Sequence, residues 1–505
     1  MASGTAASRA TRDSNPRAAN VAPAAAPRSS AAPQQTRPEL AREFRAAWVA
    51  TVDNIDWPSR PGLPTAQARA ELDAIVARAA DLKLNALVFQ VRPAADAMYP
   101  SKLEPWSEWL TGAQGKAPDE KWDPLAYVID ACHREGLQLH AWFNPYRAAH
   151  PAGKSTPAKN HVLNMMPNVC VTYGKYRWMD PGDQRAADWS LAVIRDVVKR
   201  YDVDGVHIDD YFYPYPETVK GKGKSKDTLL EFPDQRSFAR YQKGGGKLAR
   251  DDWRRANIDA FVQQMYDTVH REKPWVQVGI SPFGIARPGV PAGIKAGIDQ
   301  FGQLYADVPK WLEKGWLDYL SPQLYWPIDQ APQSFAVLLP WWHAQNPRKR
   351  HMWPGINPGR MIEGKAPIRP DELTAQMELL RAQKASQGHV HYSFKALRRD
   401  APNVAGALRS SLYATPAIAP ASPWLGTDAV AAPVVRWDGP AVTWEAATSA
   451  QFVAVQVQTK HGWTTHRVVG ASVGRCALPA DAVAVAITAI GRTGVVSSAA
   501  MSARN

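Results

Sequence analysis

From Phe44 onward, short apolar runs rich in β-branched and aromatic residues alternate with longer segments whose apolar positions recur at helical spacing. The short runs are Phe44–Thr51, Asn85–Arg92, Leu137–Asn144, Asp204–Asp210, Trp275–Ser281, Leu317–Tyr325, His351–Asn357 and His389–Phe394. Helical periodicity follows each of them, near residues 65–82, 122–136, 183–201, 251–273, 299–315, 331–346, 370–385 and 395–411. Start and stop signals agree with this division: Asp123-Pro124 reads as N-cap and first helical residue, and Gly136 as the glycine that ends the same helix. Eight strand–helix repeats predict an α/β chain folded as a (β/α)8 TIM barrel over residues 41–412.

Past Leu412 the pattern changes. An Ala/Pro-rich linker is expected over 413–427, followed by short alternating strands with no helical period. Residues 428–505 therefore read as a small β-sandwich, fibronectin-III-like in size and spacing. Residues 1–40, rich in Ala, Pro, Ser and Arg and without aromatics, are expected to be an unfolded leader. They hold neither an apolar signal-type core nor a cysteine for a lipid anchor.

Composition narrows the function classes. The formal charge of +13 favours polyanions, but the basic residues are scattered apart from one run (Lys220, Lys222, Lys224, Lys226), with no nucleic-acid-binding motif. An acidic polysaccharide suits the charge equally well, and the lysine run falls in a segment, 212–250, long enough to cover a pocket. Cys132, Cys170 and Cys476 lie far apart and outside any metal-binding spacing, so neither a disulfide framework, a metal nor a cofactor is expected. No stretch is long and apolar enough for a transmembrane segment. Twenty Trp residues supply flat apolar faces of the kind that sugar rings stack on.

A barrel of this class carries its chemistry where strands end and loops begin. The fourth run ends in Asp209-Asp210-Tyr211, and strand alternation predicts one acid turned into the pocket and the other outward. Loop capping is the competing use of such a pair, and His207 before it reads as a barrel-layer residue more readily than as an acid–base group. Asp209 and Asp210 are the candidates for catalysis, with a partner carboxylate among Asp53, Asp96, Glu104, Asp180 and Asp329. Candidates for holding sugar hydroxyl, acetamido and carboxylate groups are Asp53, Gln90, Arg92, Asn144, Tyr211, Gln323, Tyr325, Asn357 and Tyr392, with Trp48, Trp57 and Trp326 as stacking faces. There is no serine-nucleophile elbow, zinc-protease helix motif, phosphate loop or dinucleotide-binding glycine motif.

The blocks from Phe44 to Pro58, Tyr99-Pro100-Ser101-Lys102, His207 to Pro214, Ile280 to Gly284 and Leu320 to Pro327 closely resemble the glycosyl hydrolase-like family 10. The resemblance implies a bacterial, periplasmic cell-envelope enzyme that cleaves glycan strands of peptidoglycan denuded of stem peptides, in association with the cell-division machinery. It also implies acid catalysis on the pair Asp209 and Asp210. Two rivals stay open at this level: a non-catalytic glycan-binding division protein, and a lytic enzyme that leaves an anhydro end.

Overall fold

The computed structural model describes residues 37–220, 227–361, 370–383, 387–399 and 404–504. The expected leader up to Thr36, and Lys222, Lys224 and Lys226, lie outside the described residues.

Eight parallel strands form the barrel: β1 (Phe44–Val49), β2 (Ala86–Arg92), β3 (Gln138–Phe143), β4 (Gly205–Ile208), β5 (Gln277–Ile280), β6 (Tyr319–Leu320), β7 (His351–Met352, resuming at Gly355–Ile356) and β8 (Gly388–His391). Proline has no N–H to give a ladder, and Trp353-Pro354 breaks β7 in two. Its first half pairs with β6 and its second with β8, while β8 pairs with β1, so the sheet closes on itself.

Strand alternation sorts the side chains into two layers. From β1, Phe44, Ala46, Trp48 and Ala50 join Trp142, Tyr319 and Trp353 inside the barrel, while Ala47 and Val49 face the surrounding helices. The interior is aromatic enough to need glycine beside it: a Cβ at Gly279 would lie 1.8 Å from the Tyr319 ring. His140 and His207 both bond the Tyr319 hydroxyl, at 2.9 and 3.0 Å. Burial holds the His207 imidazole well below its ordinary pKa, so it is a neutral layer residue at physiological pH.

The helices follow the expected positions with informative departures. The Asp123 carboxylate accepts from the Ala126 amide, which starts a helix Pro124–Arg134 that buries Cys132. The helix expected over 299–315 is two short ones, Gln300–Gln303 and Val308–Lys314, separated where Tyr305 takes a positive φ of 55°. The β4 ladder stops at Ile208 and the β6 ladder at Leu320, both earlier than the apolar runs suggest. Pro322 follows two residues after β6, and Asp209-Asp210 leave β4 as irregular chain.

Residues 434–503 form two antiparallel sheets. Strands β9 (Val434–Asp438), β10 (Ala441–Glu445) and β13 (Arg475–Ala477) make one; β12 (Gly462–Gly470), β11 (Ala450–Thr459), β14 (Ala484–Gly491) and β15 (Ala500–Ala503) make the other. Val442, Trp444, Val453, Val455, Val485 and Ile487 fill the space between them. These sheets and the segment before them cover the N-terminal end of the barrel strands. Ser422 bonds Gln277 and His351, Trp424 donates to Asp318, Gln451 donates to Asp204, and Arg492 pairs with Asp202. A Cβ at Gly136, whose φ is +74°, would lie 2.5 Å from the Val468 carbonyl oxygen, so the helix-ending glycine also sets this close approach. Among the described residues no helix is long and apolar enough to cross a membrane.

Candidate active site

At the opposite end, where the strands give way to loops, a pocket of about 230 Å³ opens. Asp209 and Asp210 both line it. The expectation that one would turn outward fails because alternation holds only within a regular strand, and the β4 ladder has already ended at Ile208.

Each acid is held differently. Asp209 Oδ2 accepts from Asn144 Nδ2 at 2.6 Å and from Trp142 Nε1 at 3.1 Å, and its Oδ1 takes one long bond from the Tyr211 amide at 3.4 Å. Asp210 Oδ2 accepts from the Tyr215 hydroxyl, and Gln323 also donates to this carboxyl. Burial raises both carboxyls above the usual carboxylate range; Arg147 opposes the rise at Asp209, whereas the neighbouring Asp209 charge adds to it at Asp210, which reaches about 7. Two acids pushed in this way share protons as a pair, with Asp210 the one that keeps its proton near neutrality.

A relay of amides across the strand ends fixes the geometry. Gln90 Oε1 accepts the Thr51 and Val52 amides at 2.8 and 2.9 Å, and its Nε2 donates to Asn144 Oδ1 at 2.6 Å. That acceptance leaves Asn144 Nδ2 to point at Asp209, so β1, β2, β3 and β4 are tied in sequence to one carboxylate. Gln323 braces the other side by donating to the Ser281 carbonyl at 2.9 Å.

The walls are aromatic. Trp48, Trp142, Tyr211, Tyr215, Tyr325 and Tyr392 line the pocket, with Tyr325 and Tyr392 stacked at 5.5 Å and 26°. Arg147 also lines it, buried at 4% exposure, with its guanidinium 4.3 Å from the centre of the Tyr211 ring. Its Nη1 reaches only neutral acceptors, the Pro93 carbonyl and Asn144 Oδ1, each at 3.3 Å, and its buried Nε has no partner. His150, on the same rim, is depressed to about 4 by burial and by Arg147, and is therefore uncharged.

Of the residues expected from sequence to hold substrate, Trp48, Gln90, Tyr211, Gln323, Tyr325 and Tyr392 line the pocket with the two acids. Six do not. Trp57 is fully buried behind the barrel and donates to the Ala68 carbonyl, so it offers no sugar a face. Arg92 is clamped by Glu104 at 2.5 and 2.8 Å and by the carbonyls of Asn144 and Pro145, where it props the loop after β3. Asn144 acts on Asp209 rather than on the pocket space. Asn357 caps the turn that begins at Pro358 through the Arg360 amide, Trp326 packs edge-on against Phe283, and Asp53 sits exposed on the loop after β1. The other partner-carboxylate candidates are also accounted for. Asp96 bonds Gln114 and the Ala94 amide, Glu104 bonds Arg92 and Trp189, Asp180 bonds Ser237 and the Gly182 amide, and Asp329 is exposed.

Residues 43–366 match the sequence profile of the family described as Glycosyl hydrolase-like 10. Glycosyl hydrolase YngK of Bacillus subtilis (strain 168) is 38% identical over 396 residues, 77% of this chain and 75% of the relative. Glycosyl hydrolase DigH of Escherichia coli (strain K12) is 33% identical over 384 residues, 70% of this chain and 83% of that one. Among solved structures, the glycoside hydrolase domain of PgaB (BpsB) from Bordetella bronchiseptica aligns at 14% identity with a TM-score of 0.47, covering 73% of this chain and 98% of that domain.

Proposed function

The chain belongs to the glycosyl hydrolase-like 10 family and is a glycoside hydrolase; from that premise we propose that it cleaves β-linked peptidoglycan glycan strands stripped of their stem peptides. One observation carries this reading. Arg147 is a buried cation in the pocket wall with an unpaired Nε and, among the described residues, no carboxylate within ion-pair distance. A buried guanidinium in that position is stabilised by an anion brought by the substrate. In intact peptidoglycan the lactyl carboxyl of muramic acid is a neutral amide, joined to the stem peptide. Once an amidase has removed the peptide it is a carboxylate, the group a guanidinium binds with two parallel hydrogen bonds.

Catalysis follows from the protonation of the pair. Asp210, protonated near neutrality, gives its proton to the leaving glycosidic oxygen, and Asp209, held by Asn144 and Trp142, stays ionised to stabilise the positive charge that develops at the anomeric carbon. The aromatic wall holds the sugar rings. Such a substrate puts the enzyme in the bacterial periplasm, at sites where amidases have bared the strands, as they do at division.

The test is incubation of the purified protein with amidase-stripped and intact peptidoglycan in parallel, followed by mass analysis of released saccharides. Products carrying one added water from stripped material alone are expected, and Asp209→Asn with Asp210→Asn abolishes them. Equal release from both materials sinks the stripped-strand assignment, and anhydro ends replace hydrolysis with lytic cleavage.

A further inference from the structure

A retaining glycosidase that uses its own carboxylate as nucleophile needs that group on the face of the sugar opposite the acid, about 5–5.5 Å away. The pocket does not supply one. Its acidic lining, among the described residues, is Asp209 and Asp210 alone, consecutive residues whose Cα atoms are tied about 3.8 Å apart on one side of the mouth. Across the barrel, Trp48, Ala50 and Tyr392 stand at the ends of β1 and β8, and none of them carries a carboxylate. The remaining mouth carboxylates are engaged elsewhere or exposed on loops.

The two acids are also fitted for different tasks. Asp209 has one oxygen saturated by Asn144 and Trp142, while Oδ1, with its single long bond, keeps a lone pair free for a further N–H. Asp210, braced by Tyr215 and Gln323, is the proton carrier. An acceptor for an N–H beside a proton donor, with no carboxylate facing them among the described residues, is the arrangement a 2-acetamido sugar completes for itself.

We propose that the nucleophile is the substrate's own acetamido carbonyl oxygen and that Asp209 orients it, an inference that rests on the amino-sugar glycan reading above. In the first step the acetamido oxygen bonds to C1 as the C1–O glycosidic bond breaks. The Asp210 proton passes to the leaving oxygen, and the acetamido N–H, now part of an oxazolinium ring, stays hydrogen-bonded to Asp209. In the second step water adds to C1, the C1–O bond of the ring breaks, and the water proton returns to Asp210. The product keeps the β configuration, and no covalent bond to the protein forms.

The experiment combines binding and turnover. A thiazoline analogue of N-acetylglucosamine, which mimics the ring intermediate, is titrated calorimetrically against the intact protein alongside N-acetylglucosamine itself. Separately, stripped glycan strands are digested with the anomeric configuration followed by NMR, and Asp209→Asn is assayed with and without azide. The expected results are thiazoline binding at least about 10²-fold tighter than the sugar, β-configured product, and no rescue of Asp209→Asn by azide. Inverted product, a glycosyl azide from Asp209→Asn, or thiazoline binding no tighter than the sugar overturns the inference. If stripped strands are not cut but the thiazoline still binds tightly, the peptidoglycan reading fails while acetamido participation stands, on another 2-acetamido glycan.

Discussion

Replacing Arg147 with Gln tests whether the buried guanidinium reads the substrate's charge. The wild-type side chain contributes little to folding by its own bonds: two contacts to neutral oxygens at 3.3 Å and a cation–π contact at 4.3 Å, against the cost of burying a charge whose interaction with Asp209 acts from beyond ion-pair distance. The variant should therefore fold with nearly the wild-type Tm. The hydrogen bond it loses to a substrate carboxylate is charge-assisted, in a wall largely shut off from water, and bonds of that kind contribute about 1.5–3 kcal/mol. At a factor of ten per 1.4 kcal/mol, the preference in kcat/KM for a free lactyl carboxylate over its neutral amide should fall about 10- to 10²-fold. The assay compares a synthetic peptide-free disaccharide repeat with the same compound carrying a lactyl amide. Arg147 also holds the Asp209 carboxyl down, so its loss raises that group and moves the acid limb of the pH profile upward. A folded variant with an unchanged selectivity ratio would refute the carboxylate-binding role, whatever its overall rate.

Three further outcomes are expected. Tyr215 donates to Asp210 and so favours its charged form; Tyr215→Phe should raise the Asp210 titration above its present value of about 7 and shift the alkaline limb of kcat to higher pH, and a limb that stays or moves down contradicts Asp210 as the acid. Because that folded-state value lies above the value of an unfolded aspartate, the acid costs stability increasingly as pH rises from about 4 through 7. Asp210→Asn should accordingly raise Tm at pH 8 and leave it unchanged below about pH 4, as thermal melts at the two pH values would check. Trp57→Ala should destabilise the fold by about 3–5 kcal/mol, the usual cost of emptying a buried aromatic site. It should leave KM unchanged, and weakened substrate affinity in a folded Trp57→Ala protein would restore this side chain to the site.

Periodicity revealed the barrel because a strand buried on both faces and a helix buried on one leave different spacings, and eight such alternations survive even where a strand is only two residues long. Spacing does not reveal where pairing stops. The β4 run looks continuous to Asp210, yet the ladder ends at Ile208, and that difference decides the direction of both acids. The same limit separates Gln90 and Gln323, correctly placed at the mouth, from Arg92 and Trp57, which are of the right chemical kind but were claimed by Glu104 and the outer core. Trp142 was within reach of the sequence, since it lies in β3 two residues before Asn144, and both donate to the same Asp209 oxygen. Tyr215 was not, because it arrives from a loop whose path depends on contacts far along the chain, while Arg147 opens a short strand, Arg147–Ala149, fixed by antiparallel pairing with Tyr176–Met179.

The antiparallel sheets beneath the barrel have a practical consequence. Gln451, Arg492 and the Ser422–Trp424 segment grip the starts of β4, β5, β6 and β7, so whatever is attached beyond Ala503 leaves from the half of the molecule remote from the pocket. A protein coupled to a bead or a sensor chip through that region would present every mouth outward, toward insoluble glycans too large to diffuse to it.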